Sequence, residues 1–321
     1  MHRHAKTLAA VMVSTFAWPA AQAQPIQYPA RPVRMVVPFT PGGGADLGAR
    51  QIAAKLTEQL GQQFVIDNRG GSGGLLGMKI TADAAADGYT LLFTSASYGA
   101  AIASHKSDAA WLKSLAPVLE VGTSHYVIAA HPSMPGNIKG LLDLARAKPG
   151  QLSYASSGIG GLNHLAPELL LYMSKVKMLH VPYKGVGPGM VDLLAGRTSI
   201  LMTTPISLIP HFRSGKLRAL AVTGATRMPD LPDVPIVADT VPGYVVNSWY
   251  AVLATGGTPR AIVNTLNTAL NKIVNERDLK KSFESQGIDT TGGTPERLAK
   301  VVRDDYERWS MVMKSAGITL D

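Results

Sequence analysis

The sequence predicts an α/β protein of two lobes, each a mainly parallel sheet flanked by helices, with a cleft between the lobes. Three observations support this prediction. A length of 321 residues suits about two domains at ~150 residues each. Apolar strand-like runs alternate with helical periodicity from about residue 33 onward. A proline-rich stretch at 227–244, unsuited to regular ladders, separates the second alternating block from the last strand and helices.

The first alternating block has the order expected of a parallel, doubly wound sheet. On its first helix Ile52, Ala53 and Leu56 share an apolar face, and Lys55 and Glu58 lie opposite. The predicted elements are strands at 33–37, 64–67 and 91–94 and helices at about 45–60 and 76–86. Strands separated by helices in this way pair in parallel.

A second alternating block follows after residue 125. The predicted strands are 126–130, 152–155, 178–181, 200–203 and 219–223. The helices between them are predicted at about 138–147, 162–174 and 190–194. This block has enough strands for a sheet of its own.

The last part of the chain is predicted as one strand, 249–254, and two amphipathic helices. Thr258–Pro259 and Thr294–Pro295 are start signals, with threonine as the cap and proline at the first helical position. These helices have little sheet of their own, so we expect them to pack on the first block. The predicted domains are therefore 24–125 plus 247–321 (discontinuous) and 126–246 (inserted), which creates a hinge and a cleft.

The N-terminus is typical of an export signal. A basic start with Arg3 and Lys6 precedes an apolar run, and Ala21-Gln22-Ala23 matches the small-x-small cleavage pattern. The apolar run is shorter than the ~20 residues that span a bilayer. We therefore expect residues 1–23 to be a signal peptide, cleavage before Gln24, and a mature chain in the periplasm.

Composition excludes several classes of protein. The chain has no cysteine, which rules out disulfides, thiolate metal sites and a thiol nucleophile. The formal charge of +9 falls to +7 without Arg3 and Lys6, and the remaining cations are scattered among acids. Because no basic run is interleaved with aromatic residues, the sequence predicts no nucleic-acid partner. It also predicts no cofactor and a monomer.

Three glycine-rich loops each connect a strand to a helix, where free amides and the helix dipole favour an anion. They lie at 41–46, 154–161 and 181–189. The first lacks both the Walker A lysine and the spacing of the dinucleotide fingerprint. Because ligands of open α/β sheets bind at the carboxyl ends of strands, loops from both lobes are expected to meet in one cleft.

Signatures of an enzyme are weak. Gly70-Gly71-Ser72-Gly73-Gly74 matches the G-x-S-x-G string, but Asp67-Asn68-Arg69 precedes it where the elbow needs a sharp turn directly off the strand. A serine esterase using Ser72 therefore stays as an alternative of another class. The histidines at 125, 131, 164, 180 and 211 lack metal-binding spacing. Asp46 and Asp192 each suit a first helical turn better than the role of general base.

Several segments together resemble one family, the Bug-type periplasmic receptors of tripartite tricarboxylate transporters. They are YPARPVRMVVPFTPGGGADLGAR (28–50), NRGGSGGLLG (68–77), ADGYTLLFTSAS (86–97), YASSGIGGLNHLAPELL (154–170), VPYKGVGPGMVDLLAGR (181–197), PDVPIVADTVPGY (232–244) and GTPRAIVNTLN (257–267). Gly44 and Gly161 depart from residues common in the family, so each is expected to enlarge the pocket or remove a hydroxyl.

The resemblance implies a type II periplasmic-binding-protein fold that captures a small carboxylate and passes it to membrane permease subunits. It also implies no catalytic residue and no metal. The ligand-binding residues it implies are Phe39, Thr40, Gly43, Gly44, Ala45, Asp46, Thr94, Ser95, Ser156, Ser157, Gly158, Ile159, Gly160, His164, Lys184, Gly185 and Thr203. A periplasmic sensor for a two-component system would share all of these residues, so that alternative stays open.

Overall fold

A computed structural model describes residues 28–104 and 114–318 of the chain. The strands are β1 (Val33–Val37), β2 (Phe64–Asn68), β3 (Thr90–Ser95), β4 (Leu115–His125), β5 (Val127–Ala130), β6 (Ser153–Ser156), β7 (Leu179–Pro182), β8 (Ile200–Thr203), β9 (Arg218–Val222), β10 (Asn247–Thr255) and β11 (Ile288–Thr290). The predicted signal peptide and its cleavage point lie outside the described residues.

The helices pack on both faces of the sheets, as in an α/β fold. They are α1 (Gly44–Leu60), α2 (Leu75–Ala82), α3 (Ser97–Ser104), α4 (Ile138–Ala147), α5 (Leu162–Ser174), α6 (Val186–Leu194), α7 (Ile209–Arg213), α8 (Arg260–Val274), α9 (Arg277–Glu284) and α10 (Pro295–Ala316). Within the described part of the chain, none of these helices combines the length and the apolar character needed to cross a bilayer.

Two mixed sheets form two lobes. The sheet of lobe 1 has six strands in the order β11-β4-β10-β3-β1-β2, and that of lobe 2 has five in the order β7-β6-β8-β5-β9. The two-lobed α/β prediction is confirmed. The expectation of mainly parallel sheets is wrong in detail, because β4, β10 and β11 in lobe 1 and β5 and β9 in lobe 2 pair antiparallel.

The antiparallel strands arise where the chain passes between the lobes. β4 ends at His125 in one sheet and β5 begins at Val127 in the other, with only Tyr126 between them. The segment of the chain that returns from lobe 2 to lobe 1 lies beside Tyr126. The backbone amide of Tyr126 donates to the Thr223 hydroxyl at 2.9 Å, and that hydroxyl donates to the carbonyl of Val246 at 2.7 Å. The two crossings are thereby joined, and the strands flanking the predicted domain boundaries belong to different sheets.

Local sequence explains where the helices that frame the cleft begin and end. The apolar face predicted for α1 is buried at Ile52, Ala53 and Leu56, and Gly61 ends the helix in the left-handed region at φ 69°. At the start of α10 the hydroxyl of Thr294 accepts from the amide of Arg297 at 3.3 Å, as the Thr-Pro signal predicts.

Five elements were not expected from the sequence: α3, β4, α7, α9 and β11. In addition, α6 begins at Val186 rather than near residue 190, because its first turn contains the glycines and proline that indicated a loop. α2 ends at Ala82, four residues before its predicted end. These differences matter for the site, because α6 therefore begins at the cleft.

Candidate functional site

A small cavity lies between the two lobes at the carboxyl ends of β1, β3, β6 and β8. Its volume is about 20 Å³, little more than the ~10–15 Å³ that a single water requires. The lining residues come from both lobes and are Phe39, Gly43, Gly44, Ala45, Ser95, Tyr126, Ser157, Asn163, Val186, Thr203, Thr204, Ser248 and Tyr250. Among the described residues, this lining contains no lysine, arginine or histidine.

Three helices begin at this cavity. Gly43 and Gly44 start α1, Asn163 lies in the first turn of α5, and Val186 is the first residue of α6. The N-cap residues of the three helices are Gly43, Gly161 and Gly185, which have no side chain to accept from the first-turn amides. A helix N-terminus carries a partial positive charge on its free amides, so three of them together favour an anion.

Side-chain hydroxyl and amide groups hold the α5 end of the site in shape. The hydroxyl of Ser157 donates to Oδ1 of Asn163 at 2.7 Å, and Nδ2 of Asn163 donates to the carbonyl of Met202 at 2.7 Å. The amide of Leu162 donates to the hydroxyl of Ser97, which belongs to the other lobe, at 3.2 Å. These groups are neutral, so they can orient a ligand without adding charge.

A second contact between lobes lies beside the start of α1. The hydroxyl of Tyr250, on β10 of lobe 1, is 2.5 Å from Oγ1 of Thr204, directly after β8 of lobe 2. Both side chains are buried, and the Tyr250 ring stacks on Phe93 with centroids 6.0 Å apart. A Cβ on Gly44 would come closer than 3.0 Å to both hydroxyl oxygens. A side chain at position 44 would therefore collide with these two hydroxyls, which occupy the space beside Gly44, and the expectation that Gly44 enlarges the pocket or removes a hydroxyl stays a prediction.

The lobes also meet where glycines allow one backbone to approach the other. We call this set the glycine seam, and it consists of Gly70, Gly73, Gly158, Gly185 and Gly187. A Cβ at any of them would lie closer than 3.0 Å to an atom of the opposite lobe. Examples are Gly187 against the carbonyl oxygen of Pro41 and Gly158 against the amide nitrogen of Gly73. The seam lets the lobes approach more closely than side chains would permit.

The stacked rings of Tyr154, His164 and His180 hold the loop at 156–161 in place. The rings of His164 and His180 are parallel with centroids 4.0 Å apart, and His180 also stacks on Tyr154 at 4.9 Å. Nδ1 of His164 accepts from the amide of Gly160 at 3.1 Å, and Nε2 of His180 is 2.6 Å from the hydroxyl of Ser156. Burial lowers the pKa of His164 to about 3, with a further contribution from His180, and lowers the pKa of His180 to about 4. Both rings are therefore neutral at pH 7.

Asp46 holds the first ligand loop rather than lining the cavity. Its carboxylate accepts from the amide of Gly42 and from Nδ2 of Asn68, each at 3.0 Å, and pairs with Arg50 at 2.9 Å. Burial alone would raise the pKa of this carboxyl, but the hydrogen bonds from Arg50, Gly42 and Asn68 lower it below the usual value. Asp46 is thus ionised and already paired, and it is absent from the cavity lining.

The structure brings several of the sequence-predicted site residues to the cavity wall. Those in the lining are Phe39, Gly43, Gly44, Ala45, Ser95, Ser157 and Thr203. Thr94 is buried and outside the lining. Ser156, Gly158, Ile159, Gly160 and His164 form or support the loop behind Ser157. No ligand contact tests any of them, so their role in binding stays a prediction.

The remaining predicted residues lie at the lobe contact and not at the cavity. Thr40 faces Gly185 across the seam, and the carbonyl of Lys184 lies against Gly70. The side chain of Lys184 is exposed. A lysine at the rim can attract anions at long range, but a buried carboxylate would not contact it in this arrangement.

Sequence reasoning missed six lining residues: Tyr126, Asn163, Val186, Thr204, Ser248 and Tyr250. Tyr126, Ser248 and Tyr250 lie on or beside the crossing strands, where a polar residue in an apolar run was the available signal. Asn163 and Thr204 each follow a predicted site segment by a residue or two. Val186 was missed because the start of α6 was placed too late.

The structure gives no support to the catalytic alternative. Ser72 is exposed in a short 3₁₀ turn, Ser72–Gly74, and no histidine hydrogen-bonds to it within residues 28–104 and 114–318. Short Ser–His contacts at other places do not involve Ser72. The contact of Ser156 with His180 is buried and uses a histidine with a lowered pKa, and that of Ser133 with His131 joins residues two positions apart at the surface. Across the same ranges, no three His, Asp or Glu side chains lie close enough to bind one metal ion.

Comparison with known proteins gives consistent findings. Residues 48–318 match the family described as "Tripartite tricarboxylate transporter family receptor". The chain is similar to the periplasmic binding protein BugD, with 32% identity, a TM-score of 0.87, and coverage of 91% of this chain and 99% of BugD. It is also similar to Rpa4515 of R. palustris, solved with adipate, at 35% identity, a TM-score of 0.86, and coverage of 91% and 99%. MatC of Rhodopseudomonas palustris, solved with malate, has 30% identity and a TM-score of 0.85, with coverage of 89% and 99%.

Proposed function

Because the chain belongs to the tripartite tricarboxylate transporter receptor family, we propose that it captures a small carboxylate between its lobes and delivers it to membrane permease subunits. It would act in the periplasm after cleavage before Gln24, as a monomeric binding protein without cofactor or metal. Members of this family and its structural relatives are binding proteins, and two of the relatives were solved with carboxylic acids.

The observation that carries the proposal is the convergence of three helix N-termini, each with glycine as its N-cap residue, on one uncharged cavity. α1, α5 and α6 each present their first residues to it. Free amides and helix dipoles at these ends stabilise a carboxylate without an arginine or lysine. The second N–H of Asn163 and the hydroxyl of Thr203 add neutral hydrogen-bond donors, and Ser157 orients Asn163 by donating to its Oδ1.

Capture would depend on closure of the lobes. Ser97 and Leu162, as well as Tyr250 and Thr204, form hydrogen bonds from one lobe to the other. A carboxylate bound by α1 in lobe 1 and by α5 and α6 in lobe 2 would favour the conformation in which all three helix ends meet. That conformation is the one we expect the permease subunits to recognise.

The central experiment is a thermal-shift screen of carboxylates against the mature chain, followed by calorimetry on each hit. A ligand at 100 times its Kd adds about 2.7 kcal/mol to the free energy of unfolding. We expect carboxylates to raise the melting temperature and their amides not to. If only neutral solutes raise it, the assignment of the cavity as an anion site is wrong.

Two alternatives are separated by other measurements. Ser72→Ala should leave carboxylate affinity unchanged, and the unmodified chain should not hydrolyse p-nitrophenyl esters; loss of such an activity in the variant would instead support an esterase. A sensor would share the binding site but not the partner. Co-purification with permease subunits, rather than with a histidine kinase, supports the transport assignment.

A further inference from the structure

We propose that Ser97 of lobe 1 caps helix α5 of lobe 2 across the cleft and thereby slows the release of a bound carboxylate. The inference rests on the proposed function, since it assumes that a carboxylate is held between the lobes. It adds a kinetic role and assigns it to a residue outside the cavity lining.

The first step concerns an acceptor that lobe 2 does not supply to α5. The first amides of an α-helix have no acceptor within the helix, and the side chain of the N-cap residue normally accepts from one of them. The N-cap residue of α5 is Gly161, which has no side chain to do so. The amide of Leu162, the first residue of α5, instead donates to the hydroxyl of Ser97 at 3.2 Å. Lobe 1 therefore provides the missing acceptor.

The second step concerns how lobe 1 holds Ser97 in position. Ser97 begins α3, and this helix lies against α10 of the same lobe, since a Cβ on Gly99 would be 3.2 Å from the Cβ of Asp305. On the same face of α3, at its other end, the hydroxyl of Ser104 donates to the carbonyl of Gly160 in lobe 2 at 3.3 Å. Both ends of α3 therefore contact the segment that leads into α5.

The third step connects Ser97 to the strand that crosses between the lobes. A hydroxyl group can accept one hydrogen bond and donate another. Burial raises the pKa of the Tyr126 hydroxyl, and a hydrogen bond from Ser97 offsets part of that rise. Tyr126 joins β4 to β5 and lines the cavity. Ser97 therefore contacts both the crossing strand and the start of α5.

The fourth step concerns the difference between open and closed lobes. Ser97 and Leu162 are both 0% exposed in the structure. With the lobes apart, water can accept from the Leu162 amide, so the Ser97 hydroxyl makes no difference there. With the lobes together, loss of that hydroxyl would leave a buried amide without an acceptor, which is unfavourable. The hydrogen bond therefore stabilises only the closed form, and it should affect dissociation of the carboxylate rather than association.

The test measures the association and dissociation rates of malate and adipate by stopped-flow fluorescence on the mature chain and its variants. MatC and Rpa4515 were solved with these acids. Ser97→Ala removes the hydroxyl, and Ser97→Thr keeps it. Thr81→Val is the matched control, because the buried hydroxyl of Thr81 donates to the carbonyl of Gly77 within lobe 1. Thermal unfolding checks that each form is folded.

We expect Ser97→Ala to release the bound acid at least about tenfold faster, equivalent to about 1.4 kcal/mol, while the association rate changes by less than about twofold. Ser97→Thr and Thr81→Val should release it at nearly the rate of the unmodified chain. Unchanged release from Ser97→Ala, or equally fast release from a normally folded Ser97→Thr, overturns the cap and leaves carboxylate capture intact. If neither acid binds the unmodified chain, the proposed capture fails, and the role of Ser97 in release fails with it.

Discussion

The hydroxyl of Tyr250 lies 2.5 Å from Oγ1 of Thr204, and this hydrogen bond joins a strand of lobe 1 to the end of a strand of lobe 2. Each residue is anchored within its own lobe, Tyr250 by stacking on Phe93 and Thr204 by following β8. The bond can therefore form only when the two lobes are in contact. Removal of one atom, the hydroxyl oxygen of Tyr250, would break this hydrogen bond at the base of the cleft.

Removing one atom from this pair tests its contribution to stability. Tyr250→Phe leaves the Thr204 hydroxyl buried without that partner, and we expect the free energy of unfolding to fall by about 1–3 kcal/mol. Urea denaturation monitored by circular dichroism measures the change. Tyr172→Phe is the matched control, since its hydroxyl donates to the carbonyl of Ser315 at the surface and its loss should have little effect. An equal decrease in the free energy of unfolding of Tyr250→Phe and Tyr172→Phe would contradict a stabilising role for the buried hydrogen bond.

Gly187→Ala tests whether the glycine seam governs closure. The new Cβ would meet the carbonyl oxygen of Pro41, whereas Gly187 itself does not line the cavity. Alanine has a higher helix propensity than glycine, which offsets part of the cost of this collision in the unliganded chain. We expect carboxylate affinity to fall at least about tenfold, equivalent to 1.4 kcal/mol.

Calorimetry gives the affinity of Gly187→Ala, and small-angle scattering with and without ligand gives the compaction. Gly136→Ala is the control, because a Cβ there meets no atom within 4 Å. If Gly187→Ala closes and binds as well as the control does, the lobe contact at this glycine does not limit closure.

Acidification should destabilise the loop that rests on the stacked histidines. The folded-state pKa values of about 3 for His164 and about 4 for His180 lie below the unfolded value of 6.5. Between those values the unfolded chain binds more protons, so these two residues make stability fall as pH decreases from about 6.5 toward 4. Protonation would also place a hydrogen on Nδ1 of His164, which accepts from Gly160.

Melting temperatures of the unmodified chain and of His164→Gln between pH 7 and pH 4.5 measure this contribution. The variant should lose stability less steeply with acid. His131→Gln, at an exposed site, should follow the unmodified chain. Parallel curves for all three forms would mean that the stacked pair does not control the acid response.

Asp305 should give the opposite dependence on pH. Burial raises its pKa to about 7, despite a hydrogen bond from Nε1 of Trp249 at 3.2 Å and the nearby Arg308. Because the folded state holds this proton more tightly than the unfolded chain, Asp305 makes stability fall as pH rises from about 4 toward 7. Asp305→Asn keeps an acceptor for Trp249 and removes the charge, so its melting temperature at pH 8 should exceed that of the unmodified chain.

Asp304→Asn provides a control one residue away, because Asp304 is exposed and paired with Lys300. We expect it to change the melting temperature at pH 8 by little. A gain in Asp304→Asn equal to that in Asp305→Asn would point to a general charge effect on α10 and not to the buried carboxyl.

The sequence predicted elements well where a local pattern was sufficient. The buried face of α1 and the Thr294 cap of α10 follow from apolar spacing and a Thr-Pro signal, and the structure has both. β4 was missed because it carries a buried glutamate, Glu120, and glycine among its apolar residues, which broke the strand pattern. β4 pairs with β10, which is more than 100 residues away, and no local sequence pattern indicates this pairing.

The residues of the candidate site were likewise predictable only where a local sequence pattern marks them. Loops such as 41–46 are visible in the sequence, because glycines before a helix signal a close backbone approach. The lining hydroxyls of Ser248 and Tyr250 are not, because alternation along a strand does not tell which face meets the cleft once both faces are buried. The filling of the space beside Gly44 depends on residues of two lobes and could be seen only in three dimensions.

The glycine seam also offers a place to read out binding. The chain has no cysteine, so one cysteine introduced by Lys184→Cys would be the sole attachment point for a dye. This side chain is exposed, while its own backbone carbonyl touches Gly70 of the other lobe. A dye attached there would enter a different environment whenever the lobes meet. The dye itself would not contact the ligand. The same labelled scaffold would therefore serve for any acid that the cavity is redesigned to hold.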